Sequence, residues 1–348
     1  MDFSRGYAAS FYGTIVNPDT MKDAERFEII NGSINRSTDI LRQSASVTIS
    51  DSADYFNDAI IRIYMVAVQD GKSETIPLFT GLASSPSESY SNGVITSSLE
   101  CYSLLKIVDD IVLPLGWYAS AYSNGPETIK DLLSPLSVDV YISGANATDF
   151  EEGTFPDYIL TSSIVAEGGE TNLTMIDKIL SIIDWRMQID GDGSIYLSSA
   201  DPDSMAPVAV ISATENDVIE TNFTRSRDWF SCPNVFKAIY GDFTAIERDD
   251  DPDSELSTVN RGREVWMVED SASLEEDESL GEYAKRRLME EQERSETVSY
   301  TRRFMPEINQ DDIIRINYPE LQGDYYVESQ SINLEANAKT SENVYRYI

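Results

Sequence analysis

The chain of 348 residues contains no histidine at all. That single absence removes serine–histidine and cysteine–histidine nucleophile pairs, histidine-ligated metal centres and histidine general bases together. Cysteine is almost as scarce: Cys101 and Cys232 are the two present. Two cysteines cannot build a disulfide framework or a four-thiolate zinc site, and apolar or aromatic neighbours mark both as buried free thiols of a protein made in a reducing compartment. Apolar runs long enough to span a bilayer are missing, which excludes helical membrane insertion. The opening MDFSRGYAAS has no basic start followed by an apolar stretch, so a secretory signal is not expected. Positive charge is the last scarcity. There are 26 lysines and arginines against 61 aspartates and glutamates, a formal charge of −35. Such a surface repels phosphate backbones, which bind by counterion release onto cations, and a sequence-specific nucleic-acid binder is disfavoured. An acidic surface still suits a channel through which DNA passes without being held. Adaptation to a salt-rich host is the other origin of the same charge.

What is present is β pattern. Polar and apolar residues alternate in Ala45-Ser46-Val47-Thr48-Ile49-Ser50 and in Ile61-Arg62-Ile63-Tyr64-Met65. Further runs cover Ile76 to Leu82 and Val94 to Tyr102, with Asp-Gly and Asn-Gly between them, the signature of hairpins. Tyr7 to Val16 and Phe27 to Ile30 precede these, the latter closed by Asn31-Gly32, giving an antiparallel sheet of about six strands. From Leu104 the spacing turns helical. Pro126 opens a helix near 128–133, and Leu173, Ile176, Ile179, Leu180 and Ile183 form one apolar stripe on a helix over 171–185. Strand Val138 to Ile142 and the alternation of Trp185 to Ile189 and Ser194 to Ser198 complete a helix-and-hairpin module. Beyond 207, β segments return at Val208 to Ile211, Asp217 to Thr221, Asn234 to Phe243 and Val265 to Val268. A charged helix over 279–294 starts with Ser279 and Glu282 in capping-box spacing. Thr297 to Phe304, Ile313 to Tyr318, Tyr325 to Leu334 and the terminal Val344 to Ile348 end the chain. The expected fold class is therefore mainly β with an α/β insertion (α+β): a first β-rich domain over 1–110, an inserted α/β module over 111–205, and a second β-rich domain over 206–348 carrying an acidic loop and one charged helix.

Candidate sites are few. Asp190-Gly191-Asp192-Gly193 resembles a calcium loop, but Ile195 falls where the sharp-turn glycine belongs and Asp201 where a bidentate glutamate belongs; its place between two alternating runs reads as a hairpin turn. The acidic run 249–255 reads as a mobile, solvated loop. Glu151-Glu152 and Glu275-Glu276-Asp277-Glu278 supply carboxylates without the marks of a catalytic pair. Sequons at Asn31, Asn35, Asn146, Asn172 and Asn222 carry no weight without secretion. Trp117, Trp185, Trp229 and Trp266 are expected in the core. No catalytic, cofactor-binding or metal-ligating residue emerges, so no enzyme and no cofactor is expected.

The order of the pieces carries a resemblance. Ser44-Ala45-Ser46-Val47-Thr48-Ile49 leads to Arg62-Ile63-Tyr64-Met65, Ile76-Pro77-Leu78-Phe79-Thr80-Gly81 and Ser98-Leu99-Glu100-Cys101-Tyr102-Ser103-Leu104. Helices at Thr128 to Leu133 and Met175 to Trp185 follow, then the Ile189-Asp190-Gly191-Asp192-Gly193 hairpin, the charged helix Glu282 to Glu293 with Glu296-Thr297-Val298-Ser299, and Asn309-Gln310-Asp311-Asp312-Ile313-Ile314-Arg315-Ile316. Across nearly the whole chain this resembles the baseplate hub (tail hub) proteins of tailed bacteriophages, related to the hubs of contractile injection systems. The resemblance implies two tail-tube-like β-barrel domains and a homotrimer whose six barrels continue the tail tube as a pseudo-hexameric ring. It implies a virion location at the tail tip, a channel for DNA and tape-measure protein during genome ejection, and partners in the tail tube protein, the distal tail protein and a spike or fibre. Strands near Ala45–Ser50 and Ile60–Val68 would line or buttress that ring. The reading kept beside it is a tail-associated protein that binds or cleaves cell-wall glycan; an extracellular calcium-dependent β-protein is a third.

Overall fold

A computed structural model of the chain describes residues 1–50, 56–84, 86–91, 94–143, 158–160, 162–199, 206–213, 218–270, 279–293 and 296–347. Seven strands open it: β1 (Ala8–Val16), β2 (Asp23–Ser37), β3 (Gln43–Ile49), β4 (Ile60–Gln69), β5 (Lys72–Ala83), β6 (Ser87–Ser91) and β7 (Val94–Ser103). β1 pairs with β4, β4 with β5, β5 with β7, β7 with β3, β3 with β2, and β2 again with β1, so six antiparallel strands close on themselves, with β6 beside β7. The alternation drives this closure: inward Ile34, Val47, Ile49, Ile61, Ile63, Met65, Phe79 and Leu99 are essentially without solvent contact. Asp70 and Gly71, both at positive φ (50° and 76°), make the β4–β5 turn that the Asp-Gly pair predicts. Asn31-Gly32 is a different matter. It is expected to end a short strand, yet β2 runs through it for 15 residues, with a register shift against β3 between Ile29 and Asn31. A glycine is needed there because a Cβ at 32 would lie 2.5 Å from the Ser46 carbonyl oxygen, so the dipeptide marks a bulge and close strand approach rather than a turn.

The middle of the chain holds α1 (Leu105–Asp109), β8 (Tyr118–Ala119), α2 (Gly125–Leu132), β9 (Val140–Ser143), β10 (Ile164–Val165), α3 (Asn172–Ile182), β11 (Trp185–Ile189) and β12 (Ile195–Ser199). Asn124 caps α2 by accepting from the Glu127 N–H at 3.0 Å, with Pro126 in the first turn. Thr171 and Thr174 cap α3 reciprocally. That helix ends at Ile182, short of the expected Trp185, because Asp184 takes φ 48° and turns the chain into β11. β11 and β12 form the expected hairpin, and β9 adds to β12 in parallel. The module's core, including Leu105, Ile129, Ile176, Ile179 and Leu197, is continuous with Val16 and Ile60 of the closed strands.

The last part contains β13 (Ala209–Ser212), β14 (Ile219–Arg227), β15 (Val235–Tyr240), β16 (Phe243–Arg248), α4 (Thr258–Arg261), β17 (Trp266–Glu269), α5 (Leu280–Glu293), β18 (Glu296–Arg303), β19 (Ile313–Tyr318), β20 (Leu321–Asn333) and β21 (Lys339–Tyr347). Six of them run in the order β13-β19-β20-β21-β18-β14. β20 is long enough to pair with β19 and β21 and, through Ser329–Asn333, with Ser33–Ser37 of β2. Through that seam the first and last β regions become one 13-stranded sheet with one hydrophobic core, joining Ile34 and Val47 to Val298, Ile314, Val327 and Val344. Between β14 and β18 stands a small separate unit. The segment expected as one strand over Asn234–Phe243 is a hairpin, β15–β16, turning at Gly241 (φ 57°). β17 adds in parallel, and α5 packs Tyr283, Ala284 and Leu288 on Phe236 and Ala238. The capping box holds: the Glu282 N–H donates to Ser279 Oγ at 3.2 Å, and the Ser279 N–H to Glu282 Oε2 at 2.9 Å. Both cysteines are buried thiols outside any disulfide. Among the described residues no helix is long and apolar enough to cross a membrane.

Candidate functional site

The seam between β2 and β20 fixes what lies side by side on the outer face of the sheet. Register places Ser33 opposite Asn333 and Ser46, Asn35 opposite Ser331 and Ser44, and Ser37 opposite Ser329. Continuing outward, Ser329 meets Asn343 and Ser331 meets Ser341; Asn343 meets Ser299, and Ser341 meets Thr301. Because side chains alternate across a strand, all of these point to one side. Five neighbouring strands thus present a lane of hydroxyls and carboxamides. The groups bond to one another: Ser331 Oγ to Asn35 Oδ1 (2.7 Å), Asn343 Nδ2 to Ser329 Oγ (3.1 Å), Ser299 Oγ to Asn343 Oδ1 (2.6 Å), and Thr301 with Ser341 (3.1 Å). The lane is concave, enclosing a groove of about 470 Å³. Charge stands at its margins, with Glu100 accepting from Ser46 Oγ at 2.9 Å and Asp39 in the loop after β2. In a chain of net charge −35, the acidic excess therefore lies elsewhere than on this face.

The opposite side of the same strands buries charge instead. Arg302 and Glu342 are fully enclosed, the guanidinium giving Nε to Oε2 (2.8 Å) and Nη2 to Oε1 (2.5 Å). Tyr300 Oη donates to Glu342 Oε2 (2.7 Å), and Gln330 Nε2 to Glu342 Oε1 (2.7 Å) and to the Ile308 carbonyl (3.0 Å). The carboxylate is thus saturated with donors, which is what makes a buried ion tolerable. Desolvation, then the neighbouring Glu342 carboxylate, pushes the Tyr300 hydroxyl well above its usual range.

A second buried polar cluster locks the inserted module to the β core. The β11–β12 turn lies so close to β5 that a Cβ on Gly191 would sit 2.1 Å from the Pro77 carbonyl oxygen. Thr80 Oγ1 donates to the Gly191 carbonyl (2.7 Å), Arg62 Nη2 to that of Asp192 (2.9 Å), and Gln43 Nε2 to that of Ile189 (2.5 Å). From the far side, Arg186 Nη1 donates to the Asp311 carbonyl (2.6 Å) and Gln188 Nε2 to that of Gln310 (2.8 Å). Arg36 bridges all three regions, giving Nη1 to Asn309 Oδ1 (2.6 Å) and Nη2 to the Leu78 carbonyl (2.9 Å) beside Asp190; burial lowers its pKa to about 10. Burial also raises the carboxyls of Asp190 and Asp311, and that of Asp312 to about 6, although the Asn309 N–H donates to Asp312 Oδ2 at 2.7 Å.

The candidates read from sequence fall as follows. Asp190-Gly191-Asp192-Gly193 is the hairpin turn, with Gly193 at φ 94°, and its carbonyls serve docking. The acidic run is no free loop. Asp249 accepts from the Asp251 N–H (3.2 Å), Ser254 Oγ (2.6 Å) and Gln292 Nε2 (3.1 Å), so its own carboxylates order it, which composition alone hides. Glu151-Glu152 and Glu275 to Glu278 lie outside the described residues. Among the described residues no three histidine, cysteine or carboxylate side chains group as a metal site. Trp185 is in the core, whereas Trp229 and Trp266 are 41% and 43% exposed: Trp229 precedes the small unit and Trp266 lies in its sheet, which has one helix to cover two faces. Asn172 is buried and donates to the Leu132 carbonyl at 3.1 Å, while Asn35 belongs to the lane.

Solved structures give this arrangement a context. A tail protein from Neisseria meningitidis MC58 superposes with a TM-score of 0.68 over 98% of this chain and 97% of its own, at 17% identity. The fold is that of phage tail proteins. The 43 kDa tail protein of prophage MuSo2 from Shewanella oneidensis matches with a TM-score of 0.65, 14% identity and coverage of 97% and 98%. An E. coli component of the type VI secretion system, itself described as similar to the phage T4 tail proteins gp27 and gp5, matches with a TM-score of 0.50 at 8% identity, over 99% of this chain and 74% of its own. No protein-family profile matches the chain, and no curated protein sequence does. The fold is thus shared at identities of 17%, 14% and 8%.

Proposed function

We propose that this protein is the structural hub at the distal end of a phage tail, without enzymatic activity or cofactor. The single observation that carries the reading is the lane: one concave, uncharged face running without a break across both β regions. In this reading 1–110 and 206–348 are two tube-like domains, 111–205 is an inserted module, and three copies set six barrels around the tail axis. The lane faces the channel; β3 and β2 line it, and β4 buttresses them from across the core. DNA gains little on such a wall, because hydroxyls and carboxamides exchange none of its counterions and Lys339, at the end of the same face, is already paired with Glu220. A tape-measure polypeptide gains little either, because the lane itself is hydroxyls and carboxamides, with Tyr102 the aromatic ring at its margin opposite Ser44. A wall with hydroxyls and carboxamides that bond each other lets both pass. Tail tube and distal tail proteins stand above the ring, and a spike or fibre below it. Native mass spectrometry of the purified chain tests the assembly: three copies are expected, and a stable monomer at high protein concentration contradicts the hub.

A further inference from the structure

Among the described residues, the small unit between β14 and β18 covers one face of its sheet with α5 and leaves much of the other open. α5 packs on Phe236 and Ala238, with Ala245 and Met267 beside them. Alternation puts Lys237, Ile246 and Val268 on the opposite face, and register sets Lys237 directly between the other two. Trp266 is held at the edge of this face: its Nε1 donates to Glu264 Oε2 at 2.9 Å, and the Arg248 guanidinium, itself paired with Glu264, stands 5.4 Å from its ring centre. Val268, Ile246 and Trp266 are 56%, 49% and 43% exposed. Contiguous apolar surface on a rigid sheet marks an interaction site rather than ordinary surface scatter.

The charge of this face says what it fits. Lys237, central among the apolar side chains, has no carboxylate within ion-pair distance among the described residues, in a chain where acids outnumber bases 61 to 26. A face that is apolar with an unneutralised ammonium at its middle is complementary to an acidic surface with apolar spots. The rest of this chain is a surface of that kind. A ring of three copies is built from heterologous contacts, in which one patch meets a different patch on the next copy, so a cationic apolar face against an acidic one closes without like-charge repulsion.

We propose that the exposed face of β15–β17 is a subunit interface, seated on the acidic surface of the next copy in the ring; this rests on the trimeric reading above. Val268→Asp changes an exposed side chain and, separately, Lys237→Glu a half-buried one at the centre of the face, so each variant keeps the wild-type circular dichroism. Native mass spectrometry at matched concentrations is expected to show wild type as three copies and each variant dissociating at concentrations at least tenfold higher than wild type does. Tyr90→Ser, at a 75% exposed position on β6, serves as the surface control and leaves the mass unchanged. Hydrogen exchange adds a readout independent of substitution: the amides of β16 and β17 gain protection as wild type is concentrated. If wild type is trimeric and both variants remain so, with β16 and β17 exchanging alike at all concentrations, this interface is wrong and the hub stands. If wild type itself is a monomer at high concentration, the trimeric reading fails and this interface with it.

Discussion

The two sides of the seam strands differ sharply in charge and exposure. On the outer side Asn35, Ser331, Ser341 and Asn343 are wet and uncharged. On the inner side, one residue along each strand, Arg36, Gln330 and Glu342 are buried and polar or charged. A strongly acidic protein thus keeps ions off the surface proposed to meet a moving polymer and uses them where regions must be fastened. A buried ion whose partner is removed is costly, whereas an exposed hydroxyl in mutual hydrogen bonds is replaceable. The comparison predicts opposite sensitivities one residue apart.

The largest effect is expected at Glu342. Glu342→Ala leaves Arg302 charged in the core and removes acceptors from Tyr300 and Gln330. A loss of about 3–5 kcal/mol is expected, read by chemical denaturation. Next is the acidic junction. Asp312 holds its proton to about pH 6 in the folded protein, while in the unfolded chain it titrates at the ordinary aspartate value of 3.8. Between those values the folded state binds more protons, so this contribution is fully present below the lower pH and is lost as pH rises through the upper one. Asp312→Asn is expected to flatten the fall in stability between pH 4 and 6 by about 2–3 kcal/mol, which melts at stepped pH would resolve. Gly191→Ala comes third, because a Cβ would meet the Pro77 backbone and lever the hairpin off β5; about 1–3 kcal/mol is expected. Smallest in stability is Ser331→Ala on the lane, within about 0.5 kcal/mol. Its charged counterpart sharpens the contrast. A protein with Ser331→Lys, Ser341→Lys and Asn343→Lys is expected to retain DNA in a filter assay with a steep salt dependence, while wild type retains none.

Much of the fold is legible in sequence because alternation is local. Ala45 to Ser50 and Ile61 to Met65 announce their strands, and Ser279 with Glu282 announces a helix start. Asn31-Gly32 misleads because the same dipeptide serves a turn or a bulge, and only the neighbouring Ser46 backbone decides which. The lane was written in the sequence as Ser-x-Ser and Asn-x-Ser alternation that any half-exposed strand could carry. Its continuity depends on Asn35 meeting Ser331, far apart in the chain, which no local pattern contains. The junction is harder still. Asp311 and Asp312 look like solvent-facing acids, and only the burial imposed by the β11–β12 hairpin makes them otherwise. Trp229 and Trp266 were misplaced for a related reason: which face of the small sheet α5 covers is a tertiary fact.

The central claim is that the uncharged face lines an axial channel, and a reconstruction of the tail tip at side-chain resolution tests it most directly. Three copies around the tail axis are expected, with Asn35, Ser331, Ser341 and Asn343 of each turned toward the lumen. A map that puts this chain off the axis, or turns that face outward, would contradict the account.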